Sequence, residues 1–343
     1  MLNVVSKIIF TSTIIIGRII TISSSSWLGI WLGLEINLLS FIPLIIDNKN
    51  LLCSESAIKY FLIQAIASLV FLFITIFYII KFRLYFNLYK INYENIIISR
   101  TIILKLGAAP LHFWFPNIIE GLSWNNTLII LTWQKIAPLI IISLTYINNF
   151  IIIFIIISSF IGSIGGLNQI SLKKILTYSS INHIAWLLLA NLVNNILWII
   201  YFSIYFIINF SIVIIFKINN FFNVNQIFLF KSQQPLIKFC FFINFLSLGG
   251  LPPFIGFFPK WLIIENLVIN NQFFILLFLI ITALITLYFY ARLTFSAFLF
   301  NYPRYSWNKL FIIKNNILLN NLMINFIIII SLIILSINNY FIL

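Results

Sequence analysis

Along this chain, hydrophobic and polar positions alternate on the scale of whole helices. Apolar runs of about 20 residues, the length that crosses bilayer hydrocarbon, are separated by short polar or basic segments. They cover approximately Val4–Ile22, Trp27–Ile46, Ala57–Ile80, Ile96–Ile119, Trp124–Ser143, Tyr146–Leu167, Leu172–Ala190, Ile196–Phe216, Leu236–Val268, Phe273–Phe300 and Leu319–Phe341. The pattern predicts an all-α, polytopic membrane protein with about eleven transmembrane helices. The first run has no small-residue cleavage site and carries Arg18 near its end, so it reads as a retained helix, not a signal peptide.

Two of the runs are interrupted. The fourth carries Leu104-Lys105-Leu106-Gly107-Ala108-Ala109-Pro110, and the ninth, too long for one straight span, carries Gly249-Gly250-Leu251-Pro252-Pro253. A proline removes a backbone donor and crowds the preceding turn, which a bilayer tolerates only beside other helices or a cavity. The two breaks align, Leu104–Pro110 on Leu246–Pro252, with Pro116 beside Pro259 after one insertion. They lie an odd number of helices apart and so enter from opposite sides. Paired discontinuous helices in an inverted repeat point to an ion site. The expected organisation is one membrane domain with approximate repeat halves 1–143 and 144–300, followed by a C-terminal helix at 319–341.

Composition sharpens the class. The 343 residues are 62% hydrophobic and 8% charged, with mean hydropathy +1.13, outside the range of soluble domains. The net charge of +14 would suggest nucleic acid in a soluble protein. Here the basic residues fall in short loops and set topology. With eleven spans, the N-terminal side collects Lys7, Lys49, Lys59, Lys173, Lys174, Lys217, Lys231, Lys238, Arg292, Arg304, Lys309 and Lys314, and the other side little beyond Lys81, Arg83 and Lys90. The positive-inside bias then puts the N-terminus on the matrix or cytoplasmic side and the C-terminus outside. Cys53 and Cys240, and His112 and His183, are far apart and form no Cys-x-x-Cys, which argues against an iron–sulfur cluster in this chain. Heavy use of Ile, Phe, Asn, Leu and Tyr fits an A+T-rich organelle or endosymbiont genome. Two methionines among so many isoleucines raise the hypothesis that AUA codons read as Met were translated as Ile, which mass spectrometry of the protein would decide.

The candidate chemistry is ionisable and deep. Glu35, Lys105, Lys135 and Lys260 lie within apolar runs, where a charged side chain costs about 2.5–3.5 kcal/mol on insertion scales and faces a protein or water-filled interior. Burial disfavours a lysine's charged form and a nearby carboxylate restores it, so making and breaking a Glu35–Lys105 pair is a physical basis for moving a proton. His112 and His183 titrate near neutral pH and are possible relays, as is Lys59 near a span end. A structural salt bridge, a core histidine or a headgroup-seeking lysine would use the same residue types. The helix breaks rest on Gly107, Pro110, Gly249, Gly250, Pro252 and Pro253. The small-residue face Gly162, Gly165 and Gly166 suits close helix contact.

Taken together, Gly33-Leu34-Glu35-Ile36-Asn37, Lys105 with its Gly-Ala-Ala-Pro-Leu-His-Phe-Trp-Phe-Pro tail, Thr132-Trp133-Gln134-Lys135, Lys174 through His183 and Gly249-Gly250-Leu251-Pro252-Pro253 resemble the antiporter-like membrane subunits of respiratory complex I. The likeness covers essentially the whole chain. It implies that Glu35 is the glutamate paired with the broken-helix lysine Lys105, that Lys135 is the central relay lysine, and that Lys260 is the terminal lysine near the second break. It implies proton translocation in the mitochondrial inner membrane, with the N-terminus on the matrix side and the C-terminus in the intermembrane space. No cofactor is implied in this chain: FMN, iron–sulfur clusters and ubiquinone belong to partner subunits. The implied partners are the other complex I membrane-arm subunits, including neighbouring antiporter-like ones, and membrane lipids, with no nucleic acid. The chain would be a shortened member, lacking the first helices of its longer relatives. Two alternatives share the pattern: a cation/proton antiporter subunit, and a structural membrane-arm subunit whose lysines only hold helices together.

Overall fold

The computed structural model describes residues 2–47, 50–84, 92–145, 148–229 and 235–299. Among them the chain is helical, with no strand beyond an isolated bridge between Ser171 and Asn223. The helices are α1 (Leu2–Ser23), α2 (Trp27–Ile45), α3 (Leu51–Leu84), α4 (Asn92–Leu106), α5 (Trp114–Gly121), α6 (Trp124–Leu131), α7 (Trp133–Leu144), α8 (Asn148–Gly165), α9 (Leu172–Val193), α10 (Asn195–Asn219), α11 (Val224–Leu229), α12 (Pro235–Gly249), α13 (Phe257–Ile269) and α14 (Phe273–Leu299). The segment 319–341, the loop residues Lys49, Lys90, Lys231, Arg304, Lys309 and Lys314, and the side chains of Lys81, Arg83, Lys238 and Cys240 lie outside the described residues.

Among the described residues, six helical stretches are long and apolar enough to cross a membrane: Val5–Ser23, Trp27–Ile45, Leu51–Ile80, Trp124–Leu144, Asn195–Asn219 and Phe273–Phe295. The other expected spans that fall within the described residues are helical but differ in kind. Two are split at the Gly-Pro breaks, and α8 offers only the shorter apolar stretch Phe150–Gly165. Helix α9 carries Lys173, Lys174, Ser179, Ser180, Asn182 and His183, and its residues 181–191 are buried. A third interruption, unforeseen, falls at Thr132 between α6 and α7.

The chain forms two compact units. The first holds Met1–Ser158 and His183–Leu192, and the second Ser159–Asn182 and Val193 onward. In the first, α1 and α2 touch backbone to backbone. A Cβ on Gly33 would lie 2.8 Å from the Gly17 carbonyl, and one on Gly17 would lie 3.1 Å from the Gly33 carbonyl. Small residues permit that approach, and it brings Arg18 and Leu34, each next to one of the glycines, into one interior. Aromatic edges extend this core, with Phe41 and Tyr60 at 5.3 Å and Tyr60 and Trp114 at 6.4 Å.

In the second unit, Gly162 lies against the α9 backbone, where a Cβ would meet the Asn182 amide nitrogen at 2.5 Å. The core between α10, α12 and α14 is aromatic: Phe216 meets Phe245 at 6.0 Å, and Phe245 meets Tyr290 at 5.5 Å. Arg292 donates to the Leu167 carbonyl at 2.5 Å, fastening α14 to the loop after α8.

The two breaks share one backbone solution. Helix α4 ends with the Gly107 amide donating to Leu104 and the Ala108 amide to Ile103, with Gly107 at φ 76°. Helix α12 ends with Gly250 donating to Ser247 and Leu251 to Leu246, with Gly250 at φ 82°. This is the Schellman closure, whose left-handed residue is glycine for lack of a Cβ. The aligned glycines are therefore Gly107 and Gly250. The expected pairing of Gly107 with Gly249 is one residue out, because Gly249 is the last helical residue, equivalent to Leu106. In the corrected register, Pro116 falls on Pro259 and the helix starts Trp114 and Phe257 coincide, with no insertion.

Candidate functional site

Inside the first unit, α1, α2, α3, α4 and α7 enclose a small polar cavity. The space open to the centre of a water-sized sphere is about 20 Å³, enough for a water, which needs about 10–15 Å³. Its polar lining comes from Arg18, Asn37, Gln64, Lys105, Gln134 and Lys135, with Tyr60 among the remaining wall residues.

Each side chain arrives there for a local reason. Lys105 is in the last turn of α4, directly before the break, and its own carbonyl accepts from the Gln64 amide at 3.5 Å. The Trp114 indole, just beyond the break, donates to the Leu104 carbonyl at 3.1 Å. Two of the carbonyls left at the end of α4 are thus given donors. Lys135, 2% exposed, follows the Thr132 interruption in the first turn of α7, its ammonium 5.7 Å from the centroid of the Phe115 ring.

The break at α6–α7 has its own chemistry. Pro138 has no N–H to give to the carbonyl four residues back, so Gln134 loses its helical donor. Arg18, 2% exposed, supplies one: its Nη2 donates to the Gln134 carbonyl at 2.9 Å and also to Gln134 Oε1. Asn37 Nδ2 donates to the same Oε1 at 2.6 Å. Both oxygens of Gln134 are therefore held. Arg18 Nε and Nη1 have no protein partner.

Glu35 and Arg18, one of each sign, lie close enough to bear on the charge of the Lys105 amine. Glu35 and Lys105 interact through space and not as a contact ion pair, and Glu35 Oε2 is buried without a hydrogen bond. Away from bulk water such interactions are screened less than at a protein surface. A proton moved between water and the amine would change the local field at both neighbours.

The structure brings Lys105 and Lys135 to one cavity, with Glu35 acting on Lys105. Lys260 belongs to the second unit, where it is buried in the first turn of α13 and donates to the carbonyls of Gly249 at 2.9 Å and Leu248 at 3.4 Å. An ammonium on carbonyls at a helix C-terminus is favoured by the helix dipole. His112 is buried in the first break, its Nδ1 3.3 Å from the Pro110 carbonyl and its ring 4.5 Å from that of Phe113. His183 is buried on α9 in the first unit. Lys59 is elsewhere. It is 48% exposed and paired with Glu55 at 2.6 Å, one helical turn away. Pro252 and Pro253 follow Gly250 in the second break, as Pro110 follows Gly107 in the first. Among the described residues, no three of His, Cys, Asp or Glu converge to hold a metal ion.

Sequence reasoning did not single out Arg18, Asn37, Gln64 or Gln134 as site residues. One signal was there to be read for two of them. Pro138 marks Gln134 as the residue with a spare carbonyl, and Gly17 marks the contact face of α1 from which Arg18 projects.

Residues 24–286 match the family described as NADH:quinone oxidoreductase/Mrp antiporter, TM. The chain is 54% identical to NADH-ubiquinone oxidoreductase chain 2 of Anopheles gambiae over 91% of its own length and 90% of that protein. It is 50% identical to the same-named protein of Aedes aegypti, over 91% and 92%. A chain of respiratory complex I from Thermus thermophilus with bound aureothin has the same fold, with TM-score 0.83 at 20% identity over 96% of this chain and 78% of that one. The chain belongs to the NADH:quinone oxidoreductase/Mrp antiporter transmembrane family, in the group of NADH-ubiquinone oxidoreductase chain 2 proteins.

Proposed function

We propose that this chain is a core membrane-arm subunit of NADH:ubiquinone oxidoreductase, a multi-pass protein of the mitochondrial inner membrane, and that it passes protons along Glu35, Lys105, Lys135 and Lys260. Its relatives carry that enzyme's name. The observation that carries the proton path is the cavity at the α4 break, which Lys105 and Lys135 both line and where Glu35 acts on Lys105. A proton arriving at one amine raises the charge in a poorly screened space, and the neighbouring amine and carboxylate respond. The chain would act as a translocase part without redox chemistry of its own, with FMN, iron–sulfur clusters and ubiquinone in partner subunits.

The common backbone of the two breaks supports two halves of like fold, approximately 1–143 and 144–300, inverted within about eleven spans. Lys260, on the carbonyl end of α12, would be the terminal group of the path, and His112 and His183 relays along it. The N-terminus would face the matrix and the C-terminus the intermembrane space.

The test is Lys135→Met in the assembled complex. Electron transfer coupled to pumping should fall at least tenfold, because an essential proton acceptor is gone. Full turnover with an unchanged ratio of protons to electrons would end the proposal. The Mrp antiporter share of the family keeps a second reading open, exchange of a metal cation for protons. Sodium-dependent proton movement in reconstituted vesicles would favour it.

A further inference from the structure

We propose that Arg18 is a positioning residue of the proton path: as the surrogate helical donor to Gln134, it fixes the segment of α7 that carries Lys135. The inference rests on the reading of Lys135 as a proton carrier. Three observations converge on it. Pro138 withholds the N–H that would bond the Gln134 carbonyl. The Arg18 guanidinium takes that place at 2.9 Å and bonds the Gln134 side chain as well. Asn37 then holds the same side-chain oxygen from α2.

The geometry explains how an arginine meets this demand. Residue 134 follows the Thr132 interruption, where α7 starts with no side-chain cap, and its carbonyl faces Pro138 four residues on, so it needs a donor from outside the helix. A guanidinium presents several N–H donors in a rigid fork. One nitrogen can serve the backbone and side-chain oxygens of a single residue together. The Gly17–Gly33 contact brings α1 close enough to α2 for that fork to reach α7 beside Asn37. Because Lys135 is the next residue, the direction of its side chain depends on a bond made from the first helix of the chain.

Arg18 also brings a charge that does not titrate in proteins. It lines the same cavity as Lys105 and acts on that amine. Among the described residues the guanidinium bonds neutral oxygens, and its Nε and Nη1 have no partner there. It is therefore a fixed feature against which the mobile protons of the cavity are set.

The experiment uses the complete complex carrying Arg18→Met, Arg18→Lys, or Arg18→Met combined with Pro138→Ala. In Arg18→Met, kcat per assembled complex should fall roughly tenfold, the loss expected for one orphaned buried acceptor, while KM for the quinone stays unchanged. Arg18→Lys should restore part of the rate, its ammonium donating from a flexible stem without the planar head that orients Nη2. Pro138→Ala gives residue 138 its own N–H, so the double variant should regain at least half of the normal kcat. If Arg18→Met does not assemble, the double variant should recover assembly for the same reason. Normal kcat in Arg18→Met, or a double variant no better than the single one, overturns the inference. If Lys135→Met pumps normally, the proton-path reading fails instead, whatever Arg18→Met does.

Discussion

The Arg18 guanidinium donates at 2.9 Å to the one carbonyl that Pro138 strips of its helical partner, that of Gln134. A proline in mid-helix commonly costs about 3 kcal/mol or more. Here part of that cost is met by a side chain from another helix, and the interruption becomes a fixed point in the polar cavity.

The second break makes a prediction by position. Gly250 stands at φ 82°, and a Cβ there would come within 2.9 Å of Lys260 Nζ, whereas a Cβ on Gly249 would meet only ordinary contacts near 3.6 Å. Gly250→Ala costs about 1–2 kcal/mol for the left-handed backbone and pushes the amine off its carbonyls. Turnover per complex should drop several-fold, while Gly249→Ala stays within twofold of normal. Equal effects of the two would contradict the alignment of Gly250, rather than Gly249, with Gly107.

Gly33→Ala tests the helix contact beneath the cavity. Its Cβ would lie 2.5 Å from Thr21 Cγ2 and 2.8 Å from the Gly17 carbonyl oxygen and the Thr21 amide nitrogen. Backbone cannot yield there without parting α1 from α2. Native gels should show much less assembled complex, since overpacking costs about 1–3 kcal/mol. Unchanged levels would mean that α1 and α2 lie farther apart.

Lys59→Ala should do almost nothing. The exposed pair with Glu55 is worth about 0.3–0.5 kcal/mol, and the amine is engaged away from the cavity lining. Turnover within twofold of normal is expected. A severe loss would restore Lys59 to the proton path.

Trp114→Phe keeps the ring contact with Tyr60 but removes the donor to the Leu104 carbonyl, now bonded at 3.1 Å. The carbonyl keeps the Gly107 amide, so the loss is that of one hydrogen bond, about 0.5–1.5 kcal/mol. The thermal midpoint of the complex should fall by a few degrees, measured by the loss of activity on heating. An unshifted midpoint would show that Gly107 alone satisfies that oxygen.

Much of the helical layout could be read in the sequence because burial in lipid writes itself as uninterrupted apolar runs. The start of α2 at Trp27 after the serines, the start of α9 at Leu172 and the start of α14 at Phe273 match the expected boundaries. The depth of Lys105 and Lys135 was legible for the same reason, since a charge in an apolar run needs an interior. The setting of Lys59, offered only as a possible relay near a span end, was not legible because one-dimensional position carries no azimuth. Lys59 lies on α3 as Gln64 does, but on an exposed face, while Gln64 reaches the break. Arg18 looked like a span-end residue, and its partner Gln134 is 116 positions away, a pairing that no local pattern encodes. The glycine register went wrong by one because two adjacent glycines offer the same letter for different tasks, and only the sign of φ tells them apart.

The bond from Lys260 to the end of α12 makes the nitrogen a probe of helix position. The electric field at the end of a helix falls away within about a turn. A slide of α12 against α13 by a fraction of that length, pushed from any distance, would therefore reach the amine as a change of voltage.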